Sequence, residues 1–178
     1  LGHDRNTEML AQEIATKVEL PILFDADGLR SRVVEVAQRR RDSYGQIVIT
    51  PHMGEFMRVA KITEPDYSTE TLLAFSKIYR VVTVLKGPNT RICDGRSILY
   101  STTGGPVLSR GGSGDLLAGL LGGMIAQNSS DVPTAVARGV MLHGLAAQRL
   151  ARTKGQIMVN TSQLLDYLPD VLRSMDED

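Results

Sequence analysis

The chain has 178 residues, 42% of them hydrophobic and 22% charged, with Lys plus Arg balanced against Asp plus Glu at 20 each and a single cysteine. That length predicts one domain, residues 1–178, with a sizeable core, and the composition excludes wholesale disorder. Zero net charge excludes an overall positive field that draws the chain to nucleic acid or anionic lipid, Cys93 has no partner for an internal disulfide, no apolar run is of membrane length, and the first twenty residues lack the basic-then-apolar order of a secretory leader, so a cytoplasmic protein is expected.

From Asn6 to Val18, Met9, Leu10, Ile14 and Val18 recur on one helical face, with Asn6 or Thr7 as N-cap. Pro21 to Asp25 reads as a short buried strand, Asp25 to Leu29 as its exit loop with Asp27 as an N-cap, and a helix carrying Val33, Val34, Val36 and Ala37 follows. The run Arg39-Arg40-Arg41 reads as the solvated end of that helix, where cations suit the dipole. Gln46 to Thr50 is a second buried strand, ending in Pro51-His52-Met53-Gly54-Glu55 at the start of another helix. Ser68 or Thr69 opens a helix carrying Leu72, Leu73, Phe75 and Ile78, and Val81 to Leu85 is a third solidly apolar strand leading into Lys86-Gly87-Pro88-Asn89-Thr90. Arg91 to Asp94 and Ser97 to Tyr100 predict a hairpin. Beyond it come a helix from about Ser113 to Gln127, a long small-residue-rich helix over 131–152, and an amphipathic helix from Thr161 to Arg173. Apolar strands alternating with helices predict a mainly parallel sheet covered on both faces, with its strand exits along one carboxyl edge, where such folds bind ligands.

The stretch Gly104 to Asp115 organises this edge. Its glycines run into the helix that carries Leu116, Leu117, Leu120, Leu121, Met124 and Ile125. A glycine-rich loop at a helix N-terminus offers unpartnered N–H groups to an anion, phosphate above all. Asp115 in the first turn complements the dipole, and beside a bound phosphate it is also placed to act as a base toward an attacking hydroxyl. The loop is neither a Walker A motif nor a dinucleotide fingerprint. Lys86 and Thr90 offer a cation and a hydroxyl, and Arg110 a further phosphate partner; each also has a plain reading as turn or surface decoration. His52 and Glu55 end a strand and begin a helix, His143 sits in an apolar helix and carries no assigned role, and no Cys/His cluster has zinc spacing.

Taken in order, Phe24-Asp25-Ala26-Asp27-Gly28-Leu29, Thr50-Pro51-His52-Met53-Gly54-Glu55-Phe56, Leu85 to Thr90 and Gly111-Gly112-Ser113-Gly114-Asp115-Leu116-Leu117-Ala118-Gly119 resemble the ADP/ATP-dependent NAD(P)H-hydrate dehydratases of the ribokinase-like superfamily. The resemblance implies a three-layer α/β/α fold with a mainly parallel central sheet, begun here after its N-terminal strands, with Leu1-Gly2 as the tail of a glycine turn. It implies dehydration of NADHX or NADPHX driven by ADP or ATP with Mg²⁺. By the same resemblance Asp115 is the catalytic base and contacts substrate together with His52, Gly54 and Glu55. Lys86, Gly87, Pro88, Asn89, Thr90, Gly112, Ser113 and Gly114 hold the nucleotide, no side chain is a metal ligand, and a homo-oligomer is expected. Met53 and Arg110 depart from the family pattern, and Arg110 bears on nucleotide preference. Two rival readings are a small-molecule kinase acting on a sugar or pyrimidine alcohol, and a non-catalytic adenine-nucleotide binder.

Overall fold

The computed structural model describes residues 4–176, so Leu1-Gly2 and His3 lie outside the described residues. Five strands, β1 (Ile22–Phe24), β2 (Ile47–Ile49), β3 (Val81–Leu85), β4 (Thr90–Cys93) and β5 (Ile98–Ser101), form one sheet in chain order. The first three are parallel, and β4 and β5 add an antiparallel hairpin, β4 lying one residue earlier and β5 one residue later than predicted. β2 and β3 are buried at every position, which is why their sequences are solidly apolar rather than alternating.

Side-chain alternation splits the core between the two faces. Ile47, Ile49, Val81 and Leu85 pack with Val33 and Val34 of α2 (Ser31–Gln38), Phe56 of α3 (Met53–Ala60), Leu72 and Phe75 of α4 (Thr69–Tyr79), and Ala11 and Ala15 of α1 (Arg5–Lys17). Val48, Val82, Val84 and Ile92 face the other way, onto Leu117, Leu121 and Ile125 of α5 (Ser113–Gln127) and Val132 to Val140 of α6 (Val132–Lys154). The result is a three-layer α/β/α arrangement, as expected. No described helix is long and apolar enough to cross a membrane.

Several local expectations are corrected. The N-cap of α1 is Asp4, whose carboxylate accepts from the Thr7 amide at 2.9 Å, not Asn6 or Thr7. The face of α1 turned inward is the small one, Ala11 and Ala15, while Met9 and Leu10 are about half exposed. Asp27 does not cap α2; Arg30 occupies that place, and Asp27 lies in a single 3-10 turn over Ala26–Gly28. Ser68 caps α4 as expected, its hydroxyl accepting from the Thr71 amide. The closing segment is a 3-10 helix over Thr161–Tyr167 followed by α7 (Leu168–Asp176). Arg40 is buried, its guanidinium donating to the carbonyls of Ala15, Leu20 and Gly45.

Candidate active site

Parallel pairing of β1, β2 and β3 carries three strand ends to one edge. Thr50 extends β2 by donating its amide to Phe24 O at 3.2 Å, and the Lys86 amide donates to Pro51 O at 2.8 Å, so Asp25, Thr50 to His52 and Lys86 stand side by side. Ala26 then turns the chain through a left-handed conformation (φ 47°), which a side-chain-bearing residue adopts at a cost and which leaves Asp25 at the strand end.

The charges at this edge are tightly shared. Thr50 Oγ1 and Lys86 Nζ both donate to Asp25 Oδ1, at 2.7 and 2.9 Å. Lys86 Nζ also lies 3.8 Å from Glu55 Oε2. Glu55 caps α3 reciprocally with His52: the Glu55 amide donates to His52 Nδ1 at 3.2 Å, and the His52 amide donates to Glu55 Oε2 at 2.8 Å. The side chains of Asp25 and Glu55 are each 12% exposed and Lys86 22%, whereas His52 is 62% exposed. Lys86 is therefore an ion-pair partner of two carboxylates, so the cation it was expected to offer a phosphate is already shared with them.

The start of α5 closes over this cluster. Gly114 has no Cβ; one built there would sit 3.4 Å from Lys86 Nζ and 3.8 Å from Asp25 Oδ2. Gly112 is the N-cap in a left-handed conformation (φ 82°) that glycine adopts freely, and it has no side chain to satisfy the first-turn amides. The N–H groups of Gly114 and Asp115 thus lack an intrahelical acceptor and remain available to an anion.

Beside this helix start lies a cavity of about 590 Å³, within the range of nucleotide-sized sites. Lys86, Gly87, Pro88, Thr90, Ser113 and Gly114 line it. Asn89 instead faces a neighbouring hollow with Tyr67 and Tyr100, and Gly112 is exposed at the helix cap. His52, Gly54, Glu55 and Asp115 are outside the cavity wall; His52, Gly54 and Asp115 are exposed, with Asp115 adjoining the wall through Gly114. Thr90 Oγ1 donates to Gly87 O within its own turn. Arg110 lines the cavity, but its Nη2 donates to the carbonyls of Gln156 and Ile157 at 2.6 and 2.7 Å, so it fastens the loop after α6.

Several residues enter the site unannounced by the sequence. The ion pair of Asp25 and the hydroxyl of Thr50 depend on strand order, which no local pattern states. Leu108 and Leu117 give the cavity an apolar wall. His143 also lines it, 5% exposed, with Nε2 3.5 Å from Ser113 Oγ, and burial pushes its pKa down to about 4. Among the described residues no group of three or more metal-ligating side chains occurs. A hard divalent cation brought by phosphate oxygens fits such an edge, because Mg²⁺ keeps several waters and takes few carboxylates.

A family model described as NAD(P)H-hydrate dehydratase matches residues 1–170. Over its whole length the chain is 35% identical to the bifunctional NAD(P)H-hydrate repair enzyme of Moorella thermoacetica, spanning 34% of that protein. It superposes with a TM-score of 0.86, at 26% identity, on the ADP/ATP-dependent NAD(P)H-hydrate dehydratase of Bacillus subtilis co-crystallised with ATP and Mg²⁺, covering 98% of this chain and 61% of that one. A ribokinase-like superfamily protein of Enterococcus faecalis shares the fold, with a TM-score of 0.80 at 22% identity over 98% of this chain and 60% of that one. The chain thus spans about a third of the Moorella enzyme's length.

Proposed function

The chain belongs to the NAD(P)H-hydrate dehydratase family, and from that premise we propose that it couples hydrolysis of ADP or ATP to dehydration of NADHX or NADPHX back to NAD(P)H. The observation that carries this reading is the opening of α5, where amides without intrahelical acceptors begin beside a nucleotide-sized cavity and the Asp115 carboxylate, exposed and outside the wall, follows directly on Gly114 of that wall.

In this reading the amides at Gly112 to Gly114 receive the terminal phosphate, with that of Ser113 also donating to Arg110 O at 3.2 Å, and Lys86 to Thr90 flank the rest of the nucleotide. Asp115 takes the proton from the ring hydroxyl of the hydrated nicotinamide, which attacks the terminal phosphorus. An O–P bond forms, and the bridging P–O bond breaks with its electrons leaving on the shortened nucleotide. The ring nitrogen lone pair then expels inorganic phosphate with cleavage of the C–O bond. Loss of a proton from the adjacent carbon restores the enamine. His52, Gly54 and Glu55 face the hydrated ring; the shared pairing of Glu55 and Asp25 with Lys86 keeps this edge from accumulating uncompensated negative charge beside the phosphates. Mg²⁺ would be held by phosphate oxygens, water and at most a carboxylate of this edge, where it neutralises phosphate charge. Residues 1–178 act as one domain, and the protein works in the cytoplasm as a homo-oligomer on small molecules and not on nucleic acid.

Asp115→Asn is expected to lower turnover of NADHX with ADP or ATP by ~10²–10⁴ while nucleotide affinity stays near that of the parent, because only the proton acceptor is lost. Unchanged turnover removes Asp115 as the base. Accumulation of a stable phosphorylated alcohol in place of NADH would instead favour a kinase.

A further inference from the structure

At the opposite edge of the sheet lies a cleft of about 460 Å³, formed where β2 and β3 begin and where the β4–β5 turn reaches α4. We propose that this cleft binds the phosphate group of a small metabolite, at a second site separate from the nucleotide cavity and independent of the proposed reaction.

Five cations line it, Arg40, Arg41, Lys77, Arg80 and Arg96, against two carboxylates, Asp42 and Asp94. In a chain whose net charge is zero, this is a concentrated positive field. Both carboxylates are already engaged. Asp42 pairs with Arg80. Asp94 Oδ1 accepts from the amides of Arg96 and Ser97 at 2.8 and 2.7 Å, so it serves the hairpin turn and not the cations. Arg40 is 9% exposed; its guanidinium donates to main-chain carbonyls and lies 5.1 Å from the centroid of the Tyr44 ring, its Nε has no acceptor, and among the described residues no carboxylate pairs with it. A charge held in the wall without a counter-ion favours an anion in the space beside it.

The plain account is that cations gather at helix C-termini, and it covers Arg41 after α2 and Lys77 in the last turn of α4. It does not cover Arg96, which is carried by the sheet, nor the burial of Arg40. The turn bearing Arg96 is also seated firmly: a Cβ on Gly95 would lie 2.8 Å from the Lys77 backbone, so only glycine lets the two segments approach this closely. Arg41, Lys77 and Arg96 thus line one cleft, with the Arg41 guanidinium 5.8 Å from the centroid of the Tyr44 ring, while Tyr44 and Gln46 supply polar groups for the remainder of the ligand. The concave shape and volume suit a small molecule and not a nucleic-acid backbone.

The test is titration of the 178-residue chain with inorganic pyrophosphate, read by backbone amide NMR shifts. Saturating shifts at Gly45, Gly95 and Arg96 with Kd at or below ~1 mM are expected. The double variant Lys77→Ala/Arg96→Ala, which alters two exposed side chains, should weaken this binding roughly tenfold or more while leaving any shifts at Gly111 to Gly114 unchanged. Shifts confined to Gly111 to Gly114, a non-saturating drift at the cleft, or equal affinity in the double variant would each overturn the assignment.

Discussion

Lys86 shares its charge between Asp25 and Glu55, so in the proposed site it is the main-chain amides that would grip phosphate. Removing the ammonium strands two largely buried carboxylates, so Lys86→Met should cost about 2 kcal/mol of stability by urea unfolding. Asp25→Asn in the same background should return part of that loss, with a coupling of roughly 0.5–3 kcal/mol across the double-mutant cycle; additive losses would mean the pair contributes nothing as a pair. His143 makes a different prediction, because its pKa is depressed by burial to about 4 from an ordinary 6.5. Between these values the unfolded chain binds a proton that the folded chain refuses. The His143 contribution is therefore intact above pH 6.5, is lost as pH falls toward 4, and can amount to ~3 kcal/mol. Denaturant titrations at pH 7.5, 6 and 5 should show this slope in the parent and a shallower one in His143→Gln, the carboxylates being common to both; equal slopes would show that His143 is protonated without penalty.

Two glycines of α6 allow close approach, Gly139 to α5 and Gly144 to the segment after β5, and they are not equivalent. A Cβ on Gly139 would meet the tip of Leu121 at 2.7 Å, whereas one on Gly144 would meet Thr103 Oγ1 at 2.1 Å and the Thr103 backbone at 2.8 Å. A leucine tip can move and a backbone cannot. Gly139→Ala should be near neutral, since the gain in helix propensity, about 1 kcal/mol, offsets the strain, while Gly144→Ala should destabilise by ~1–3 kcal/mol and disturb the cavity wall at Thr103. Thermal unfolding of the two variants checks the order. The same distinction between pattern and placement governs what the sequence disclosed. β2 and β3 were legible because burial on both faces leaves an uninterrupted apolar run. The stripe of Met9, Leu10 and Ile14 in α1 was equally regular, yet periodicity says that a face exists and not where it points. Ala11 and Ala15 win the inward position because α1 packs close against α2. Pro169, without an N–H, fits the first turn of a new helix, and the single predicted helix from Thr161 becomes two elements there. The glycine loop and the strand exits were readable as local motifs, while the convergence of Thr50 and Lys86 on Asp25 needs β1 and β3 to flank β2, a non-local fact. Nor can a run of three arginines say which one is inside.

At the scale of the molecule, two apolar clusters clasp the sheet and a third stands apart from it. The third joins Leu142 to Leu150 of α6 with Val159, Leu164 and Val171, and it takes in Val107 of the 3-10 turn over Pro106–Ser109 that walls the cavity. Arg110 and the hydrogen bond from Thr161 Oγ1 to Gly111 O at 2.9 Å tie the same satellite to the glycine loop. A satellite core smaller than the clusters on the sheet opens at lower free energy than β2 and β3, so amides over 161–176 should exchange with solvent before those of the strands. Because that opening also dismantles a wall of the cavity, a ligand filling the cavity must oppose it. With ATP at 100 times its Kd the opposition is about 2.7 kcal/mol, a slowing of exchange over 161–176 of roughly 100-fold. Hydrogen-exchange mass spectrometry with and without ATP and Mg²⁺ reads both effects at once. Slower exchange in β3 with no change over 161–176 would show that the satellite opens without touching the nucleotide, and that the ties through Arg110 and Thr161 carry no coupling.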